Sequence, residues 1–367
     1  MRSGTYAGRS NPSTSIQRFN YTFHVSGVTI AYVRFYLRIA TLPGSLNSIA
    51  FISGDDTLAE IQLNASGTLE LWDNFNGVQI GSDSSALSVN TWYRIEVKVD
   101  VTTLSATALE AKIDGTAFAS GTANYTGLSG AYGLRLGGIS NGTYDIYFDD
   151  IAVNDNSGSF QNSYPGAGEI IHLLPNAIGD NSAWTPTSGD NYTNVDEVTP
   201  DDATTIVSAT GVGGEIDDYN LAATPAAMDS DDVINYVGVG VRFSVSGASS
   251  GVELRLKASS GGTTDDTTII SSDTATTYFT NDDLAPKNYL AFGNDSNYEQ
   301  PGGASAWTKA TLDTAQIGIT NLSGGGATVN VSTIWLLVDH TPAVAGGNDL
   351  SQVILRNESL RLLKVGK

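Results

Sequence analysis

The stretch YDIYFDDIAVNDNSGSFQNSYP, residues 144–165, divides this 367-residue chain into two parts. Its first half, residues 144–153, is β-branched and aromatic, which is typical of a buried strand. Its second half consists mainly of Asn, Ser, Gly and Pro, which favour turns and have little apolar surface to bury. We therefore predict a closing strand followed by a linker over residues 154–163. The segments on either side are each long enough to form a domain with its own core.

The composition indicates many short strands joined by tight turns. The chain contains 40 Gly and 16 Tyr, and only 16% of its residues are charged. It contains no Cys, which excludes a disulfide scaffold, a thiol enzyme and a Cys-ligated zinc site. No apolar run is long enough to cross a membrane, and none near the start has the form of a signal peptide. We therefore expect a soluble protein with no membrane partner.

Charge is distributed unevenly along the chain. Residues 1–153 carry 9 basic and 13 acidic residues, residues 154–341 carry 5 and 24, and residues 342–367 carry 4 and 2. A net charge of −21 repels nucleic acid, which we exclude as a partner. The basic end of the chain is suited to an acidic protein surface.

The segment YVRFYLRI alternates between an apolar and a polar face, as a half-buried strand does. The apolar face consists of Val33, Phe35, Leu37 and Ile39, and the opposite face consists of Tyr32, Arg34, Tyr36 and Arg38. Because Tyr and Arg are enriched at protein interfaces, we predict that the second face is an interface. The alternative is a glycan platform, to which Trp72 and Trp92, expected nearby, would contribute. Further along, Asp114-Gly115 predicts a two-residue hairpin turn.

Residues 1–153 resemble the laminin-G-like and concanavalin-like jelly rolls. The resemblance rests on the order of RSGTYA, VRFYLRI, LNASGTLELWD, NTWYRIEVKVD, KIDGTAFASG and YDIYFDDIAV. Such domains usually have a strand before the RSGTYA segment, so a neighbouring chain is one possible source of a missing strand. Some of these domains carry calcium, which makes Asp149 and Asp150 the candidate metal ligands and calcium the one candidate cofactor.

Residues 164–341 are predicted to form the second, acidic domain, and residues 158–340 resemble a module of structural proteins in tailed phages. SFQNSYPGAGEIIHLLPN, NVDEVTPDDATTIV, AWTKATLDTAQIGI and VSTIWLLVD carry this resemblance. Its strongest strands are expected near residues 234–245, 252–258 and 329–339, with Trp335 in the core. We predict an all-β protein of two tandem antiparallel β-sandwiches of the jelly-roll type, followed by a C-terminal tail.

The tail, residues 342–367, is a basic and apolar arm. Its assembly residues are predicted to be Leu355, Arg356, Leu360, Arg361, Leu362 and Leu363. So much apolar surface near a chain end indicates either packing on the chain's own domain or contact with a partner.

The sequence offers one candidate for catalysis, the triplet Glu215-Ile216-Asp217. Some jelly-roll glycosidases place two carboxylates on alternate strand residues, but the second Glu that their motif needs is replaced here by Tyr219. We therefore interpret Glu215 and Asp217 as solvated strand residues. No nucleophile triad or phosphate-binding loop is recognisable, and we predict that the protein is not an enzyme.

Taken with the resemblances, these features predict a structural protein on the surface of a tailed-phage virion, a capsid decoration or a fibre-like component of head or tail. Its predicted partners are other virion proteins and further copies of itself, and it would be made in the host cytoplasm. The alternative is a glycan-binding adhesion module of a phage tail or a cell surface, with a host glycan as partner. A glycosidase ranks third.

Overall fold

A computed structural model shows the fold of this chain. It describes residues 2, 7–12, 17–23, 27–54, 57–138, 143–202, 204–211, 213–246, 251–270, 279–280, 296–303, 305–322 and 326–343. The described chain divides into two compact units, with the boundary along the chain between Glu169 and Ile170. Each unit is described by itself below.

Unit 1 is an antiparallel β-sandwich. Its strands are β1 (Gly8–Ser10), β2 (Gln17–Thr22), β3 (Ile30–Thr41), β4 (Asn47–Ser53), β5 (Thr57–Leu63), β6 (Leu69–Asp73), β7 (Val78–Ile80), β8 (Trp92–Asp100), β9 (Thr107–Ile113), β10 (Thr116–Ala123), β11 (Gly133–Gly138) and β12 (Asp145–Asp155). A 3-10 turn lies at Leu104–Ala106. Sheet A has the order β1-β12-β3-β8-β9-β10, and sheet B has the order β2-β11-β4-β5-β6-β7.

The core of unit 1 lies between these two sheets. Val33, Phe35 and Leu37 of β3 point into it and are fully buried, as the alternation of the sequence predicts. Between β9 and β10, Asp114 and Gly115 both have positive φ, 50° and 85°, which confirms the predicted hairpin turn.

Unit 2 is a second antiparallel β-sandwich. Its strands are β13 (Glu169–Leu173), β14 (Pro175–Ser182), β15 (Thr185–Pro186), β16 (Val207–Thr210), β17 (Ile216–Leu221), β18 (Val233–Val245), β19 (Gly251–Lys257), β20 (Thr264–Ile270), β21 (Phe279–Thr280), β22 (Gln316–Asn321) and β23 (Thr328–Thr341). Sheet C has the order β15-β16-β23-β18-β21, with β13 also paired to β23, and sheet D has the order β14-β17-β22-β19-β20. A 3-10 turn lies at Asn191–Asn194, and helix α1 spans Lys309–Leu312. Two β-sandwiches confirm the predicted all-β fold class.

The prediction that Trp335 is a core residue is wrong. On β23 the core residues are its neighbours Ile334 and Leu336, whereas Trp335 is half-buried on the outer face of sheet C. Its indole ring lies over Gly240 of β18, where a Cβ would come within 2.1 Å of the ring. The segment is apolar on both faces, so its composition did not reveal which face is internal.

No helix of the described chain is long and apolar enough to span a membrane.

Candidate functional site

The face predicted as an interface or glycan platform lies on the outer side of sheet A, but it is not open. Arg34 is fully buried and Tyr36 is only 6% exposed, while Tyr32 and Arg38 are half-buried. The Arg34 Nε donates to the backbone oxygen of Asp150 at 3.0 Å. Alternation therefore identified the residues that share this face, two of which are buried.

Arg2 covers one part of this face. Its guanidinium lies 3.5 Å from the centre of the Tyr36 ring, forms an ion pair with Asp150 and donates to the backbone oxygen of Gly168 at 2.7 Å. The Arg2 backbone nitrogen donates to Asp149 Oδ2 at 2.9 Å. Cation–π and charge-assisted contacts thus fasten residue 2 to a strand nearly 150 residues away.

Residues 164–169, named the strap here, cover another part of the same face. The ring of Tyr164 packs edge-on against Tyr32 with 5.1 Å between ring centres, and Lys112 Nζ lies 3.6 Å from the centre of the Tyr164 ring. The Gly166 nitrogen donates to Glu96 Oε1 at 2.9 Å. The strap is therefore seated on sheet A by aromatic, cationic and hydrogen-bonding contacts.

The proposed calcium ligands Asp149 and Asp150 are both engaged by Arg2 at this place. Asp150 has a positive φ of 48° within the irregular pairing of β12 with β3, which turns its carboxylate towards the arginine. Among the described residues, no three His, Asp or Glu side chains are grouped so that they could hold a metal ion. Asp150 thus pairs with the Arg2 guanidinium, whereas Asp149 accepts from the Arg2 backbone nitrogen.

The outer face of sheet B carries a different set of side chains, named the sheet B face here. One cross-strand row consists of Arg135, Phe51, Glu60, Trp72 and Gln79 on five adjacent strands. A second, shorter row consists of Ser48, Gln62 and Glu70. Cross-strand partners lie about 5 Å apart, so the two rows form one patch of aromatic, amide and charged groups.

Glu60 organises the middle of the sheet B face. Its carboxylate accepts from Gln62 Nε2 at 2.7 Å and also from Ser48 and Asn74. Burial raises the pKa of Glu60, while the amide donors of Gln62 and Asn74 oppose that shift. Because their amide groups donate to Glu60, Gln62 and Asn74 are held in fixed orientations beside Trp72.

Glu70 fixes Trp72 in the same manner. The indole Nε1 donates to Glu70 Oε2 at 2.9 Å, and Trp72 itself is only half-buried. A half-exposed indole held at its nitrogen presents its ring at the surface of the sheet. Sequence reasoning named Trp72 but expected it near the face of Tyr32, whereas β6 belongs to the other sheet. The alternation of Glu70 and Trp72 in LELWD was the signal that could have found the sheet B face.

In unit 2, Glu215 and Asp217 are not the solvated pair that the sequence suggested. Asp217 is fully buried and accepts from the backbone nitrogens of Ala183 at 2.7 Å and Trp184 at 2.8 Å. It also accepts from Asn191 Nδ2 and from the Tyr219 hydroxyl. Burial raises the pKa of Asp217, although these donors oppose the shift.

The neighbouring Asp218 belongs to a second buried polar cluster, on the outer face of sheet D. Lys257 Nζ lies 2.7 Å from Asp218 Oδ2 and 3.0 Å from Asp180 Oδ2, and Arg255 Nε lies 3.1 Å from Asp218 Oδ1. Gly318 lies between these strands, and a Cβ there would come within 2.3 Å of Asp218 Oδ1. The glycine is what lets the aspartate and the arginine meet across β22.

The predicted assembly residues of the tail, from Leu355 to Leu363, lie outside the described residues.

Comparison with known proteins bears on the fold. No protein-family profile and no curated protein matches the sequence. Similar solved structures include an endo-β-1,4-glucuronan lyase from the fungus Trichoderma reesei, 13% identical with a TM-score of 0.31, covering 41% of this chain and 82% of that one. An alginate lyase is 9% identical with a TM-score of 0.31, covering 40% and 74%. A heptameric SAP-like pentraxin from Limulus polyphemus is 15% identical with a TM-score of 0.29, covering 40% and 74%.

These structures correct one prediction. The similar structures include glucuronan and alginate lyases, which contradicts the prediction that this chain is not an enzyme. At identities of 9–15% the likeness concerns the fold alone, and no reaction or site is carried over from it.

Proposed function

We propose that unit 1 binds carbohydrate through the sheet B face, and that the protein is a glycan-binding component on the surface of a tailed-phage virion. The observation that carries this proposal is the arrangement around Trp72, where a partly exposed indole is flanked by side chains whose orientation is fixed by two carboxylates. Binding sites of this kind rely on positioned polar groups and an aromatic contact surface.

The chemistry of the face favours a sugar over an apolar peptide. The polarised C–H groups on one side of a pyranose ring fit the negative face of an indole. Gln62, Asn74 and Gln79 supply amide groups around the ring, and hydroxyl groups can both donate to and accept from amides. The neighbouring Glu60 and Glu70 carboxylates would repel an acidic polymer, so a neutral glycan is the ligand that we propose.

A glycan array probed with the full chain, followed by calorimetric titration of the best neutral glycan, tests this proposal. We expect Trp72→Ala to weaken binding at least tenfold and Glu60→Gln to weaken it less, because Gln preserves the shape of Glu60 but changes its hydrogen bonding. The matched control is Tyr147→Ala, which removes a half-buried aromatic from the outer face of sheet A of the same unit. If the array shows no binding, or if the two aromatic variants behave alike, the sheet B face is not a glycan site.

The sequence resemblance favours a second function, in which the protein holds assembly contacts within the virion as a capsid decoration or fibre-like component. Its support is the resemblance of residues 158–340 to a module of phage structural proteins. Labelling the chain in an intact particle and locating it by electron microscopy tests this role and distinguishes head from tail. Absence of the chain from purified particles would exclude it.

A further inference from the structure

We propose that the outer face of sheet A is a docking site for the strap, residues 164–169, and that the strap of a second copy of this chain can occupy it in place of the chain's own. The partner is thus another copy of the same protein, and the exchanged element is a short peptide segment. This inference does not depend on glycan binding.

The face is built to receive the strap. Glu96, which accepts from the Gly166 nitrogen, is 2% exposed and is itself held by Arg94 Nε at 3.1 Å. At the far end of the strap, Arg2 contacts the Gly168 backbone oxygen and lies 3.7 Å from Glu169. The receiving groups are therefore fixed by unit 1 itself, as they are in a preorganised peptide-binding site.

The strap is held much as a bound peptide is. Residues 164–168 form no strand or helix, and they contact sheet A through the Tyr164 ring and the Gly166 nitrogen, and Arg2 through the Gly168 oxygen. Tyr164 is the anchor, since its ring lies between Tyr32 and Lys112, and burial raises the pKa of its hydroxyl. None of these contacts requires that strap and face belong to the same chain.

The connector before the strap provides the reach. Residues 156–163 are mostly exposed, form no regular secondary structure and include positive φ values at Gly158 and Gln161. Eight extended residues span up to about 28 Å. Reopening this connector would let the strap leave its own sheet A and reach that of a neighbour, which is the usual route to segment exchange between identical chains.

Exchange is governed by concentration. A short tether gives the chain's own strap an effective concentration of the order of millimolar, so a dilute protein keeps its strap in place. Since the exchanged form makes the same contacts, it becomes competitive where copies are crowded to a similar concentration. We therefore expect single chains in dilute solution and exchanged dimers after refolding at high protein concentration.

The test uses the absence of native cysteine. Chains carrying Asn154→Cys are mixed with chains carrying Ser163→Cys, refolded together at high concentration and treated with a short thiol crosslinker. Asn154 pairs with Tyr32 on β3 and its side chain donates to the Ser163 oxygen at 2.9 Å, so both substitutions leave the Tyr164 anchor intact. We expect a covalent dimer of the two variants. A mixture of Tyr147→Cys and Ser163→Cys chains is the matched control, because Tyr147 pairs with Arg38, six residues along β3 from Tyr32, and should give no dimer.

A double variant with both Asn154→Cys and Ser163→Cys in one chain should crosslink internally at low concentration. If it does so while the mixture yields only monomers, exchange is overturned, and if it does not, the strap contact itself is overturned. Sedimentation of the wild-type chain measures its oligomeric state without any substitution. A wild-type chain that remains monomeric after concentrated refolding would also exclude the exchange.

Discussion

Both units are β-sandwiches, but their charged side chains are buried in different places. In unit 1 the space between the sheets is apolar, and the ion pairs of β8 and β9 lie on the outer face of sheet A. In unit 2, Asp217 is buried among apolar residues, and Asp218 and Lys257 are buried on the outer face of sheet D. The acidic character of the second half is thus partly internal, where carboxylates tie loops and strands together.

The acidic composition of residues 154–341 therefore overestimates the charge on the surface of unit 2. The 24 acidic residues of residues 154–341 predict a repulsive surface, but Asp217, Asp218, Asp232 and Asp265 are all less than 9% exposed. A buried carboxylate persists only where donors or cations satisfy it. The stability of unit 2 should therefore depend on individual aspartates, as that of unit 1 depends on its own buried carboxylates Glu96 and Asp150.

The largest expected effect is that of Asp217→Ala. Four donors, two of them backbone nitrogens of the loop before Asn191, would lose their acceptor in a buried site. We expect unit 2 to lose about 4 kcal/mol in its free energy of unfolding, because unsatisfied buried donors cost about 1–3 kcal/mol each and loop relaxation recovers part of this. Urea unfolding, with the exposed Asp231→Ala as control, measures the loss. Equal losses of unfolding free energy in the two variants would show that the hydrogen bonds to Asp217 do not stabilise unit 2.

Removing the buried cation should have the next largest effect. Lys257→Met leaves Asp180 without its lysine partner and Asp218 with Arg255 and the Asn181 amide as its partners. We expect a loss of about 3 kcal/mol, typical of removing one partner of a buried ion pair. The control is Lys309→Met, which breaks an ion pair on helix α1 and should cost less than about 1 kcal/mol. Thermal unfolding of both variants tests the contrast, which fails if Lys257→Met is as mild as the control.

Sheet C allows a comparison of its two faces on adjacent residues. Ile334→Ala removes a fully buried side chain and should cost about 3 kcal/mol. Trp335→Ala removes a larger but half-buried side chain from the outer face, and we expect about 2 kcal/mol. Denaturant unfolding of the two variants measures both losses of unfolding free energy. A greater loss for Trp335→Ala would mean that the outer face of sheet C is covered more completely than the structure shows.

The smallest expected effect concerns pH. Hydrogen bonds from Ser260 and the Gly261 nitrogen lower the pKa of Asp180 from its ordinary value, with a further contribution from Lys257. A carboxyl group whose pKa is lower in the folded state stabilises that state above its unfolded pKa of 3.8, and this stabilisation is lost as pH falls through the folded pKa. Asp180→Asn should therefore lose about 1 kcal/mol at pH 7.

The difference between wild type and Asp180→Asn should shrink once the pH falls below 3.8. Urea unfolding at neutral pH and in acid measures it, with Asp231→Asn as the control. A difference that stays constant down to strong acid would show that the charge of Asp180 does not stabilise unit 2.

Much of the fold could be predicted from local patterns. The alternation of residues 32–39 gave β3 and its buried face, and Asp114-Gly115 gave the hairpin, because both depend on residues close together in the chain. The state of the opposite face could not be predicted. What covers it is Arg2 and Tyr164, and long-range packing of this kind leaves no periodic signal in the sequence.

The candidate site was missed for a related reason. The Tyr and Arg residues of YVRFYLRI indicated a site on sheet A, whereas the sheet B face is made from single residues on five strands. Only the cross-strand register brings Arg135 near Phe51 and Glu60, and register depends on the whole sandwich. In unit 2, Asp217 was misjudged because a carboxylate with four donors has the same sequence appearance as a solvated one.

Gly318 has a consequence for how this protein can evolve. Because it leaves room for Asp218 and Arg255 to meet over β22, the identities of three residues on three strands depend on one another. A lineage could gain a side chain at position 318 only after the aspartate had shortened or turned away, and the arginine would then lose its partner. In a set of homologous sequences these three positions should change together, whereas the exposed positions of the same strands drift independently.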